Sequence, residues 1–204
     1  MTATDTGSGG LIGDMNYCEV RNSYATGDVS GADGAGGLLG YSSLHWSSGL
    51  IDASYATGNV TGHDGVGGLI GDGFAAPVTN VYAIGSVSGN AHVGGLIGTT
   101  GDQAWWTGIS VTVPYLTNAY SSGSVTGSSS VGGLIGTLGT TTDSLGNTNA
   151  IVVTDSYWDT TTSGQSASAG GTGKTTTLMQ TAGTFSTWPS ATWLISGGAY
   201  PQLK

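Results

Sequence analysis

Two short blocks alternate along this chain, and the spacing between them is rigid on one side and elastic on the other. The first block, Gly-Gly-aliphatic-aliphatic-Gly, occurs at Gly9–Gly13, Gly36–Gly40, Gly67–Gly71, Gly94–Gly98 and Gly132–Gly136. The second is built around Tyr-(Ala/Ser)-x-Gly-x-Val-x-Gly and occupies Asn22–Gly31, Ala53–Gly62, Asn80–Gly89 and Asn118–Gly127. A decayed fifth copy starts at Asp155. From each Tyr to the next Gly-Gly pair the step is twelve residues: 24 to 36, 55 to 67, 82 to 94 and 120 to 132. The return interval runs from fifteen (Gly9 to Tyr24) to twenty-six (Gly94 to Tyr120). Internal repeats of this length are stacking units, and insertions confined to one interval are loops at one corner of a rigid scaffold.

Within the blocks the period is two. Ser23, Ala25, Gly27, Val29 and Gly31 share one parity, and Tyr24, Thr26, Asp28 and Ser30 share the other. Small and apolar against polar is the pattern of a half-buried strand. An aliphatic residue precedes each Tyr by four places (Val20, Ile51, Val78, Leu116, Val153), on the parity of the Tyr. A bend near Asn22, Ala53, Asn80, Asn118 and Asp155 puts the aliphatics inside and the Tyr outside; a bend at the Gly puts the Tyr inside. We take the first as the expectation. Units this small cannot bury a core alone and need neighbours, so a parallel β-solenoid follows, with like residues laddered about 4.8 Å apart. Parallel crossovers favour the right hand. The expected fold is therefore all-β, a right-handed β-helix of about five rungs over residues 1–158, with a capping segment over 159–204. Within that segment a Thr is expected to cap a short helix over residues 175–182; Trp158, just before it, and Phe185, Trp188, Trp193 and Tyr200 are expected to cover the last rung.

Composition narrows the function. Three Lys+Arg face twelve Asp+Glu, a formal charge of −9. That excludes the clustered cations that nucleic acids and anionic membrane surfaces require. At 37% hydrophobic the chain is not an acidic disordered segment. Cys18 is the single cysteine, so no internal disulfide forms. No apolar run approaches the roughly 18 residues of a membrane span, so no membrane insertion is expected. Gly173-Lys174-Thr175 lacks the earlier Gly of a phosphate loop, since Ser168 stands there. His45, His63 and His92 are not spaced as ligands, and Asp28, Asp33, Asp64 and Asp72 do not recur in a calcium-repeat pattern. No metal or other cofactor is expected. No nucleophile–base set or carboxylate pair stands out by spacing, so the expectation is that the chain is not an enzyme.

The runs VGGLIG at Val66–Gly71, Val93–Gly98 and Val131–Gly136, alternating with NSYATGDVSG at Asn22–Gly31, resemble the GLUG repeat family of bacterial surface and secreted proteins. The resemblance covers about residues 9–158, and Ser156-Tyr157-Trp158-Asp159 resembles the segment that ends such arrays. It implies an extracellular or cell-surface module without catalytic residues of its own, in adhesin- or haemagglutinin-like chains. The long fourth and fifth insertions depart from a minimal array.

The expected role is adhesion, or a structural stalk, with surface glycans or proteins of a host cell or bacterium as partners and with end-to-end self-association. Two surfaces are candidates for binding. One is the ladder face, Tyr24, Tyr55, Tyr82 and Tyr120 beside Thr26 and Thr57, where glycan or ice binding is the alternative function. The other is the insertion corner with Trp46, Trp105 and Trp106.

Overall fold

The structure, a computed structural model, describes residues 7–15, 18–42, 49–73, 77–100, 103–104, 115–142 and 148–204. It is mostly β. Each repeat contributes strands to the same parallel sheets in the same order, so residues at equivalent places in the repeat lie side by side. The glycine sheet holds Ser8–Gly9, Ala35–Gly36, Asp64–Gly67, Ala91–Gly94 and Ser129–Gly132. The isoleucine sheet holds Ile12–Met15, Leu39–Ser42, Ile70–Asp72, Ile97–Thr99 and Ile135–Thr137. The tyrosine sheet runs through Glu19–Arg21 with Tyr24–Ala25, Leu50–Ala56, Val78–Ala83 and Tyr115–Ser121, and ends on Tyr157–Asp159 and Thr172–Lys174. The valine sheet holds Val29–Ser30, Val60–Thr61, Val87–Ser88 and Val125–Thr126.

The expected bends are present. Asn22, Ala53, Asn80, Asn118 and Asp155 all take positive φ, between 45° and 54°. Asn and Asp tolerate this left-handed conformation better than most side chains, and four of the five positions use them. A serine after the bend stitches it closed: Ser23, Ser54 and Ser156 donate from Oγ to the carbonyls of Arg21, Asp52 and Thr154, each at 2.8 Å. The bend resets the alternation, so Val20, Ile51, Val78 and Leu116 turn inward to a core shared with Leu38, Leu69, Leu96 and Leu134. Each such side chain gains about 1.5–3 kcal/mol from burial. A second core lies between the valine and glycine sheets, built from Val29, Val60, Val87 and Val125 against Val66 and Val93.

The double glycine is required by how closely these strands approach. A Cβ on Gly67 would lie 1.9 Å from the Ile70 carbonyl oxygen and 2.6 Å from the Gly98 nitrogen. A Cβ on Gly68 would meet the Gly95 carbonyl oxygen at 2.2 Å and the Ala83 methyl at 2.9 Å. The small residue facing the second glycine is Ala25, Ala56, Ala83 and then Ser121 in successive repeats. At the last one the partner becomes Trp158, whose ring lies over Gly133.

Trp158 thus packs into the main core, and its indole donates to the Gln165 carbonyl at 3.0 Å. Residues 167–169 then pair with the last repeat's outer edge. Gly133 donates to the Ala167 carbonyl, Ala169 donates to the Ile135 carbonyl, and Ser168 Oγ accepts from the Leu134 and Ile135 amides. The lysine of Gly173-Lys174-Thr175 is in a strand paired with Tyr157–Asp159, not in a phosphate loop. The helix expected over 175–182 forms as Thr176–Met179 followed by a 3-10 turn at Ala182–Phe185, with Thr175 at the N-cap position and no side-chain cap bond. A better-capped turn precedes it: Asp159 accepts from the amides of Thr161 and Thr162 ahead of the helix Thr160–Ser163. Among the described residues no helix is long and apolar enough to cross a membrane.

Candidate functional site

The tyrosines of successive repeats lie in register on the outer side of their sheet and stack. Ring centroids are 5.1 Å apart for Tyr24 and Tyr55, 4.7 Å for Tyr55 and Tyr82, and 5.1 Å for Tyr82 and Tyr120. The planes are within 9° of parallel. The stack does not continue through Tyr157, although Tyr157 is paired with Tyr120 in the sheet. Tyr200, from the C-terminal segment, takes that place, 5.9 Å from Tyr120 and 5° from its plane.

The C-terminal segment lies along the tyrosines. Phe185, Trp188 and Trp193 form a third apolar cluster with Tyr82, Tyr120 and Met179, and Phe185 and Trp188 also pack on Tyr157 of the fifth copy. Two of the bend residues anchor it. Trp193 Nε1 donates to Asn80 Oδ1 at 3.1 Å, and Trp188 Nε1 donates to the Asp155 carbonyl at 3.0 Å. Tyr120 Oη donates to the Pro201 carbonyl at 2.8 Å, and Tyr200 Oη donates to Asp159 Oδ2 at 2.6 Å. The chain returns on itself here as an antiparallel pair, Trp193–Leu194 with Gln202–Leu203. Burial pushes the Tyr82 and Tyr200 hydroxyls up to about 12, aided at Tyr200 by the Asp159 carboxylate. Burial also pushes the Asp159 carboxyl up, but hydrogen bonds led by that from Tyr200 outweigh it and hold the group below the usual range.

The candidate residues therefore divide. Tyr120 is 1% exposed and Tyr82 8%, both beneath the C-terminal segment, while Tyr24 is 59% exposed. Tyr55 and Thr57 are half-buried, and Thr26 is exposed. Trp46, Trp105 and Trp106, with His45, lie outside the described residues. The expectation of outward tyrosines holds in that they stand apart from the main core, yet half of the ladder, Tyr82 and Tyr120, is roofed by aromatic residues whose destination the repeat pattern did not announce.

At the uncovered end the ladder and the segment separate into an open cleft of about 520 Å³. Asn22, Tyr24, Asp52 and Tyr55 form one wall, and Thr192 and Lys204 stand on the other. Asp52 is the hub of the first wall. Its Oδ1 accepts from Thr79 Oγ1 at 2.6 Å and Asn80 Nδ2 at 2.9 Å, and Arg21 approaches Oδ2 at 3.5 Å. This cleft had no signal in the repeat pattern, because one wall comes from outside the repeats.

The acidic and histidine positions sort into structural roles. Asp28 Oδ1 accepts the Asn59 amide, Asp33 Oδ1 the Asp64 amide and Asp64 Oδ1 the Ala91 amide, each linking one repeat to the next. His63 joins Asp33 and Asp64, with Nδ1 3.2 Å from Asp33 Oδ1 and 3.7 Å from Asp64 Oδ2. These three offer ligand atoms within 4.8 Å of one another, on an exposed turn. The laddering of Asp33 and Asp64 accounts for that convergence. His92 stands elsewhere, between Ala91 and Val93 in the strand that pairs with Asp64–Gly67 of the preceding repeat, with Nδ1 2.7 Å from Thr137 Oγ1. Asp72 lies in the isoleucine sheet beside Tyr41, where burial raises its carboxyl pKa.

Comparison with protein-family models, with curated proteins and with solved structures finds no match to this chain.

Proposed function

We propose that this chain is a non-enzymatic adhesion module: a right-handed parallel β-solenoid with a C-terminal cap, carried outside the cell by a bacterial surface protein. One observation carries the reading. Equivalent residues pair across as many as five repeats, while every interval of variable length falls between an isoleucine-sheet strand and the next tyrosine-sheet strand. A scaffold that holds its register and varies only at one corner is built to present segments for recognition. The GLUG resemblance of residues 9–158 supports the location and the class of parent protein. Trp105 and Trp106 fall in one of the variable intervals, and aromatic residues are efficient anchors for glycan or protein partners.

The test is a glycan-array and cell-binding screen of the chain beside a variant carrying Trp105→Ala and Trp106→Ala. Binding lost in the variant supports adhesion through the corner. Silence from both, with β-type circular dichroism intact, supports a stalk instead. The alternative of a continuous ladder face, binding a sugar polymer or ice, is weakened by the burial of Tyr82 and Tyr120. What remains open of that face is its Tyr24 end.

A further inference from the structure

We infer that the cleft at the uncovered end of the tyrosine ladder is a binding site for a single neutral pyranose ring. The site is separate from the insertion corner, and the inference deepens the adhesion reading by naming a sugar class and the residues that would hold it.

Three observations converge. The stack of tyrosine rings ends at Tyr24, which has Tyr55 against one face at 5.1 Å and 7° and is 59% exposed. Among the described residues no ring lies on its other face. A flat aromatic face held by a stacked neighbour is a rigid platform for the C–H face of a sugar, and it costs little side-chain entropy to present. Beside it, Asp52 is fixed by three donors from its own sheet, yet a carboxylate has about four acceptor sites. Its side chain is 26% exposed, so it can accept from a sugar hydroxyl without being reoriented. Finally, the opposite wall is held in place: the Lys204 amide donates to the Thr192 carbonyl at 3.1 Å and Lys204 Nζ donates to the Ser190 carbonyl. The cleft is thus preformed, with an aromatic wall beside polar groups, which suits a ligand that is itself part apolar and part hydroxylated.

The same chemistry selects among sugars. The fixed carboxylate and the overall charge of −9 oppose an anionic sugar such as a sialic or uronic acid, and the nearby cations are already engaged, Arg21 by Glu19 and Asp52 and Lys204 Nζ by the Ser190 carbonyl. A neutral hexopyranose offers both an apolar C–H face and hydroxyl donors. A single exposed ring with one charged acceptor gives weak affinity, on the order of millimolar, as suits a site used many times on one surface.

Saturation-transfer difference NMR on the intact chain tests this, with methyl glucoside, methyl galactoside, methyl mannoside and N-acetylglucosamine as probes and sialyllactose as the anionic control. We expect transfer to at least one neutral pyranoside, strongest at its ring C–H protons. It should be lost in Tyr24→Ala, kept in Tyr24→Trp, and unchanged in the Trp105→Ala, Trp106→Ala variant. Tyr24 is exposed, so both Tyr24 variants should keep the wild-type circular dichroism and melting temperature. No transfer from any neutral probe to the folded chain overturns the proposal. So does transfer that Tyr24→Ala leaves intact, or stronger transfer to sialyllactose than to every neutral probe. Cell binding that depends on Trp105 and Trp106 is read separately, so the adhesion reading can survive the failure of this site.

Discussion

Tyr24 and Tyr120 hold the same place in their repeats and stand in one stacked ladder, yet Tyr24 is 59% exposed and Tyr120 1%. The repeat sets where each ring stands. The segment after residue 174 sets what each ring meets, because it reaches Tyr157, Tyr120 and Tyr82 and leaves Tyr24 uncovered. One motif thus yields two environments: a dry aromatic cluster at one end and an open aromatic wall at the other.

The sharpest way to break this contrast is to remove the residue that bridges two ladder rings. Trp193 is 1% exposed and packs on Tyr82, Tyr120 and Trp188. Trp193→Ala should cost about 3–5 kcal/mol, read as a fall in the urea midpoint with loss of near-ultraviolet dichroism. A cost within about 0.5 kcal/mol, typical of an unremarkable surface site, would mean that the segment does not pack on the ladder.

The repeat half of the comparison is tested at glycine. Gly67→Ala should cost about 1–3 kcal/mol through overpacking. Gly27→Ala, where an added Cβ meets nothing within 4 Å, should change stability by no more than about 0.5 kcal/mol. Equal effects at the two sites would remove the close-approach explanation.

Alkaline titration tests the burial of the covered tyrosines. Tyr82 and Tyr200 have pKa values raised to about 12 in the fold, against about 10 in an unfolded chain. Between these values the unfolded chain holds fewer protons, so stability is fully present below pH 10 and is lost as pH rises from about 10 to about 12. Urea midpoints measured across that window should fall, and a flat profile would contradict the burial. A smaller effect is expected from Tyr120→Phe, which deletes the bond to the Pro201 carbonyl, at about 1 kcal/mol.

The repeat half was legible in the sequence and the other half was not, for physical reasons. A constant twelve-residue step between blocks leaves no freedom in register, and Gly36, Gly67 and Gly94 pair as that step requires. The bends were readable because Val20 and Tyr24 share a parity but cannot share a face. The path of Trp188 and Trp193 had no such signal. Their composition demands burial, but their partners are Asp155 and Asn80, and Asn80 lies more than a hundred residues from Trp193. Those partners follow from tertiary placement alone. The cleft at Tyr24 was hidden for the same reason, since Thr192 and Lys204 belong to no repeat.

Residue-resolved hydroxyl-radical footprinting of the native chain, read by mass spectrometry, tests the division of the ladder most directly. The structure predicts oxidation falling in the order Tyr24, Tyr55, Tyr82, Tyr120, with Tyr120 fully protected until the chain unfolds. Equal labelling of the four, or Tyr24 protected while Tyr120 reacts, would contradict it.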